Sequence, residues 1–183
     1  PTARKGVDFT AGFRLALDPR LFPYILFGCG LSTVTGVLQQ TFGFFVMDRL
    51  SVAGVAATEL AGAGFMVGAL ALLAAQMGLL PRLGLSPRAL MIAGAMLIAL
   101  GVVVQIFAPG LGALLTAQFL QGIGFGLARP GFSGGASLAV TAREQGAAAG
   151  LVVAANGFGF VISPMLGSAV YDAIGHTAPA WIS

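Results

Sequence analysis

An all-α integral membrane fold is what the sequence predicts, and three observations predict it. Hydrophobic residues make up 57% of the 183 and charged residues only 8%, where soluble domains carry roughly 25% charged. The apolar residues gather into stretches long enough to cross a bilayer, which takes about 20 residues. Glycine is abundant, at 28 residues, and suits helices whose backbones approach closely within lipid. A soluble chain of this length has too little interior for so much apolar surface. In lipid the helices need not bury their outer faces.

Five spans are expected, over residues 21–46, 60–80, 89–108, 111–140 and 146–170, making 21–183 one helical bundle. The fourth is overlong, so it is tilted or ends near the Gly/Ser-rich stretch 131–137. A sixth helix begins near Pro179, with Trp181 as its interfacial anchor. Residues 1–20 are a polar linker segment with Arg4, Lys5, Asp8, Arg14, Asp18 and Arg20, and they lack the apolar core of a signal peptide. The opening at Pro1 and the abrupt end at Ser183 read as the edges of a piece of a longer polypeptide. The single cysteine, Cys29, excludes an internal disulfide.

The connections alternate in charge. Lys plus Arg number 4 before the first span, then 1, 2, 0, 1 and 0 in the regions that follow the successive spans. The positive-inside rule therefore puts the N-terminal segment and the second and fourth loops in the cytoplasm. The Ala- and Gly-rich spans suggest a bacterial inner membrane.

Polar residues inside spans are costly and therefore informative. On the first helix Gly28, Ser32, Thr35 and Gln39 share one face at steps of three and four, with Gln40 beside them. On the fourth, Gln118, Phe125 and Arg129 fall on one side with Gln121 at its edge, and on the fifth Asn156, Gly159, Ser163 and Gly167 form a line. These stripes either border a water-accessible cavity, with Gln39, Gln121 and Asn156 near a substrate, or pack helix on helix. In the second case small residues let backbones touch and the amides hydrogen-bond across them. Arg129 is the one formal charge well inside an expected span, where it would cost about 2.5–3.5 kcal/mol at the bilayer centre. It either snorkels toward the cytoplasmic face or forms an ion pair, or it meets a substrate or a gate.

Two motif matches carry no chemistry. Gly131-Phe132-Ser133-Gly134-Gly135 fits G-x-S-x-G, but that elbow needs a strand before it, and His176 is expected on the other side of the membrane. Gly122-Ile123-Gly124-Phe125-Gly126 lies mid-span with no strand ahead of it, so it is no dinucleotide loop. With one histidine, one cysteine and no acidic residue inside any expected span, neither a metal site nor intramembrane acid–base catalysis is expected. No cofactor, nucleic-acid partner or enzymatic activity is expected.

Three segments in order resemble the major facilitator superfamily, and specifically its C-terminal six-helix half, from about Leu21 to the end. Pro81-Arg82-Leu83-Gly84 resembles a degraded copy of the acidic-Arg-x-Gly loop of the N-terminal half, with Pro81 in place of the acid. Gln118-Phe119-Leu120-Gln121-Gly122-Ile123-Gly124 resembles the R-x-x-Q-G-x-G segment of that half, with Gln118 in place of the arginine. Gly150, Gly159, Ser163-Pro164 and Gly167-Ser168 follow the antiporter spacing G-x8-G-x3-G-P-x2-G-G, with serines at two glycine positions. The spans would then be helices seven to eleven of twelve. Without the family, the glycines of that last motif give a flat packing or gating face, and Pro164 bends the helix.

The resemblance implies a secondary transporter working by alternating access, most simply proton-coupled efflux of drugs or other small lipophilic compounds. Its partners would be the N-terminal half of the same polypeptide, the small-molecule substrate, protons and the bilayer. The coupling acid would lie in that other half, so these spans alone would not transport. The alternatives are uptake of a small nutrient or metabolite, and a non-transporting membrane scaffold in which every polar stripe is packing.

Overall fold

A computed structural model describes residues 14–175, with side chains described as far as Leu166. The described residues form five helices: α1 (Phe22–Leu50), α2 (Gly54–Leu83), α3 (Pro87–Ile106), α4 (Leu111–Leu138) and α5 (Gln145–Gly175). All five are long and apolar enough to cross a membrane. The sixth helix expected near Pro179 lies outside the described residues.

Helices α1, α2 and α5 run past the apolar stretches that mark them, because backbone hydrogen bonding continues where side chains turn polar. Three carboxylates lie in these extensions, outside the apolar stretches expected to cross the membrane. Asp48 falls in α1, Glu59 in α2 and Asp172 in α5, all within about two turns of a helix end. Helix α4 does not stop at its glycines: it continues through Pro130 to Leu138.

The turns have local causes. Helix α1 ends on Ser51 in the left-handed conformation, whose N–H closes on the carbonyl of Met47. Helix α2 ends at Gly84, which takes φ +54, a value glycine tolerates without strain. Ser86 then caps α3 by accepting the N–H of Ala89, with Pro87 in the first turn, where its missing N–H costs nothing. Before Pro81 the helix widens into a π-helical turn, Ala75–Leu79. A proline ring clashes with the carbonyl four residues back, here Met77, and one wider turn relieves it. At the far end of α3 the Arg49 guanidinium donates to the carbonyl of Ile106 at 2.7 Å, a cation on a helix C-terminus.

The start of α1 and the α2–α3 and α4–α5 turns share one end of the bundle, here the basic end, with Arg14, Arg20, Arg82, Arg88 and Arg143. Leu15 and Leu21 pack there on Ala136 and Ala148. At the opposite end Phe42, Val46, Ala61, Ala108 and Leu114 form an apolar plug. Helix α4 is central: it packs on α3 and α2 and also touches α1 and α5, while α1 packs mainly on α5.

Lipid supplies no hydrophobic drive between helices, so close contact must do that work. Gly94 of α3 faces Gly124 of α4 so tightly that a Cβ on Gly94 would lie 2.6 Å from the carbonyl oxygen of Gly124. Gly122 sits against the carbonyl of Gly68, closing α4 on α2. Facing outward are Met77, Met96, Phe107 and Met165, all largely exposed, as lipid allows and water would not.

Candidate functional site

A cavity of about 600 Å³ opens between α1, α2 and α4, within the range of small-molecule sites. Helix α1 gives it Leu38, Gln39 and Gln40, and α2 gives Phe65 and Leu72. Helix α4 gives Gln118, Gln121, Phe125 and Arg129, at steps of three or four that hold them on one face. The apolar plug stands beyond its opposite end, where Phe42 and Phe65 tilt together with ring centroids 5.3 Å apart. Toward the basic end a second cavity of about 430 Å³ is lined by Gln76, Ser133 and Asn156. Arg129 borders both.

Of the expected site residues, Gln39, Gln40, Gln118, Gln121 and Arg129 thus surround one space, and Asn156 joins Arg129 in the next. Their amides divide into two kinds. Some bind helix to helix: Ser32 Oγ donates to Asn156 Oδ1 at 2.6 Å, Gln40 Nε2 donates to Ser163 Oγ at 3.2 Å, and Gln121 Nε2 donates to Gln105 Oε1 at 2.9 Å. Others have no such tie. Gln118 is 7% exposed and makes no side-chain hydrogen bond among the described residues, so its amide faces the cavity unpartnered. Gln39 is likewise open to it. Packing and cavity are both present on the same stripes: Gln40, Gln121 and Asn156 line a cavity and also tie helix to helix, while Gln39 and Gln118 only line one.

Arg129 makes no salt bridge among the described residues. Its guanidinium lies over the Phe125 ring, 6.0 Å from the centroid, a cation–π contact. Nine residues of helix separate it from Leu138, about 14 Å at 1.5 Å per residue. Among the described residues no carboxylate lines either cavity.

The antiporter-spaced residues also divide. Gly159 is buried, and a Cβ there would lie 2.6 Å from the carbonyl of Cys29. Ser163 is fully buried against Gly36, and its Oγ donates to the carbonyl of Phe160. Gly150 has nothing near where a Cβ would stand, so among the described residues it packs on no neighbour. Pro164 lies inside α5 and is exposed, and the contacts of Gly167 fall outside the described side chains.

The sequence model of the Major Facilitator Superfamily matches residues 11–183. The chain belongs to that superfamily. No curated protein and no solved structure matches it. A superfamily member is a membrane transporter, so the space between α1, α2 and α4 is where a solute is to be sought.

Two residues that sequence reasoning passed over belong to this superfamily bundle's polar interior. Gln105, 1% exposed, holds Gln121, and Gln76 enters the second cavity from the π-helical turn of α2. Both are amides within apolar spans. The cost argument applied to Gln39 and Gln121 would have found them.

Proposed function

We propose that this chain is the C-terminal half of a major facilitator transporter that exports small lipophilic compounds in exchange for protons, by alternating access. The observation that carries the reading is the cavity between α1, α2 and α4. Its wall is largely apolar, with a few amides and one guanidinium to orient a solute. The antiporter spacing from Gly150 to Gly167 favours efflux, and the Gly159–Cys29 and Ser163–Gly36 contacts give that segment a tight seam against α1. The Gln118 amide, which opens into the cavity and makes no hydrogen bond among the described residues, argues against a scaffold, whose packing would have closed that space.

In this reading the basic end faces the cytoplasm, as the alternation of arginines favours. The cavity then runs toward the cytoplasm past Arg129, and the Phe42–Leu114 plug closes the other side. Proton coupling needs a titratable group along the path. The carboxylates of the described helices stand near helix ends, so the coupling acid lies outside these spans.

The test is accumulation of a panel of fluorescent lipophilic dyes, anionic, neutral and cationic, in cells expressing the full-length protein, with and without a protonophore. Lower accumulation of at least one dye, restored by the protonophore, is the expected result. Unchanged accumulation of every dye in cells that make the protein would overturn efflux in favour of metabolite uptake.

A further inference from the structure

Arg129, an exposed residue on α4, is the guanidinium that borders both cavities. A guanidinium about 14 Å from its helix end calls for an anion or for water, and among the described residues no carboxylate lines either cavity that it borders. Two amides, Asn156 and Gln76, line the second cavity with it. Asn156 has its Oδ1 occupied by Ser32 Oγ, which leaves the Nδ2 protons free for a ligand. Gln76 makes no side-chain hydrogen bond among the described residues and reaches the second cavity from a π-helical turn, a distortion that often marks functional sites. On the other side of Arg129 the larger cavity offers Leu38, Phe65, Leu72 and Phe125. It reaches Gln118, 7% exposed, whose amide makes no hydrogen bond among the described residues.

We infer that the solute is a single-chain amphiphilic organic anion. Its carboxylate sits at Arg129 where the two cavities meet, and its apolar body lies between α1, α2 and α4. This rests on the transport reading above and names the substrate class of that same site. The sign of the headgroup follows from the guanidinium: with the amide NH2 groups of Asn156 and Gln76 in the same cavity, and no carboxylate lining it among the described residues, it holds a carboxylate and repels an ammonium. The planar fork of Arg129 takes the two carboxylate oxygens together, which a lysine cannot do. The Gln118 amide lies eleven residues along α4, about 16 Å away. It sets the far limit of the body and serves a solute that carries a second polar group there.

The test is equilibrium binding of radiolabelled decanoate to the purified full-length protein in phosphatidylcholine nanodiscs, with decanol and decyltrimethylammonium as competitors. Decanoate is expected to bind saturably and to outcompete both. Arg129→Gln is expected to weaken it on the order of tenfold to a hundredfold, with decanol unaffected and Arg129→Lys in between. Asn156→Ala and Gln76→Ala are each expected to weaken decanoate several-fold, which guards against a fold defect in the arginine variant. Equal affinity for acid and alcohol, or wild-type decanoate binding by Arg129→Gln, would overturn the proposal. Loss of binding in phosphatidylglycerol discs alone would overturn it in favour of a lipid headgroup. The transport reading fails separately: decanoate that binds but is never exported sinks efflux and leaves the headgroup assignment standing.

Discussion

Gln121 of α4 donates its amide to Gln105 of α3 across 2.9 Å, with 3% and 1% of the two residues exposed. The bond lies on the seam where Gly101 lets the helices close, since a Cβ there would meet Gln121 Cγ at 2.7 Å. Breaking one side of the pair leaves a buried amide alone. Gln105→Leu and Gln121→Leu should each lower stability by about 1–2 kcal/mol, with a coupling of about 0.6–1.7 kcal/mol in the double mutant. Thermal unfolding in one detergent, run as a four-protein cycle, measures it. Additive single effects would mean that the bond contributes nothing.

How much of this was legible in the sequence follows from which physics each feature obeys. The spans were legible, because lipid imposes a length and an apolarity that a single chain records by itself. The shared faces of Ser32, Gln39, Gln118 and Asn156 were legible too, because helical periodicity is local. Which stripe meets which was not. Gln121 was expected either at a substrate or packing helix on helix; it lines the cavity with its amide tied to Gln105, while Gln118, on the same helix, is an amide left open to the cavity. Rotation of each helix about its axis decides that outcome, and it is set by where Gly94, Gly122 and Gly159 let neighbours approach. The ends of α1 and α2 were misplaced for a related reason: apolarity marks the lipid core, and helices outlast it.

The glycine seam between α3 and α4 gives a second prediction. Gly94→Ala forces a methyl into the carbonyl of Gly124, so it should cost about 1–3 kcal/mol. Gly112→Ala meets open space in the same α4 and should be neutral or raise stability by about 0.5–1 kcal/mol. Unfolding midpoints of the two variants side by side decide this. Equal midpoints would mean that the helices stand further apart than described.

The antiporter-spaced segment makes a sharper contrast. Gly159→Ala should destabilise the α1–α5 seam by about 1–3 kcal/mol and reduce transport, since its methyl would meet the Cys29 carbonyl and Ser32. Gly150→Ala should leave stability unchanged in these spans. If Gly150→Ala nevertheless abolishes transport at normal stability, its role is contact with a further helix, a result that only a combined activity and stability measurement reveals.

At the basic end Arg20 donates to Asp18, and the pair stands 2.8 Å apart. Those hydrogen bonds hold the Asp18 carboxyl down to about 2, from 3.8. Glu144 is lowered too, chiefly by the Thr141 N–H and hydroxyl. Depressed carboxylates contribute stability above their ordinary values and lose it as pH falls through the folded ones. Asp18→Asn should therefore be slightly less stable than wild type above pH 4, a difference that shrinks toward pH 2 and with added salt. Melting curves against pH at two salt concentrations test it, and a gap that widened on acidification would contradict the assignment.

The proposed transport function requires the space between α1, α2 and α4 to be a water-accessible solute cavity. Rates of labelling by a membrane-impermeant maleimide measure it most directly, on single cysteines in a Cys29→Ala background. Gln39→Cys and Gln118→Cys should label from water, and added substrate should slow them. Met96→Cys, on an outward apolar face and 68% exposed, should not label if that face meets lipid. If the two cavity positions label no faster than Met96→Cys, the cavity is closed to water and the stripes are packing alone.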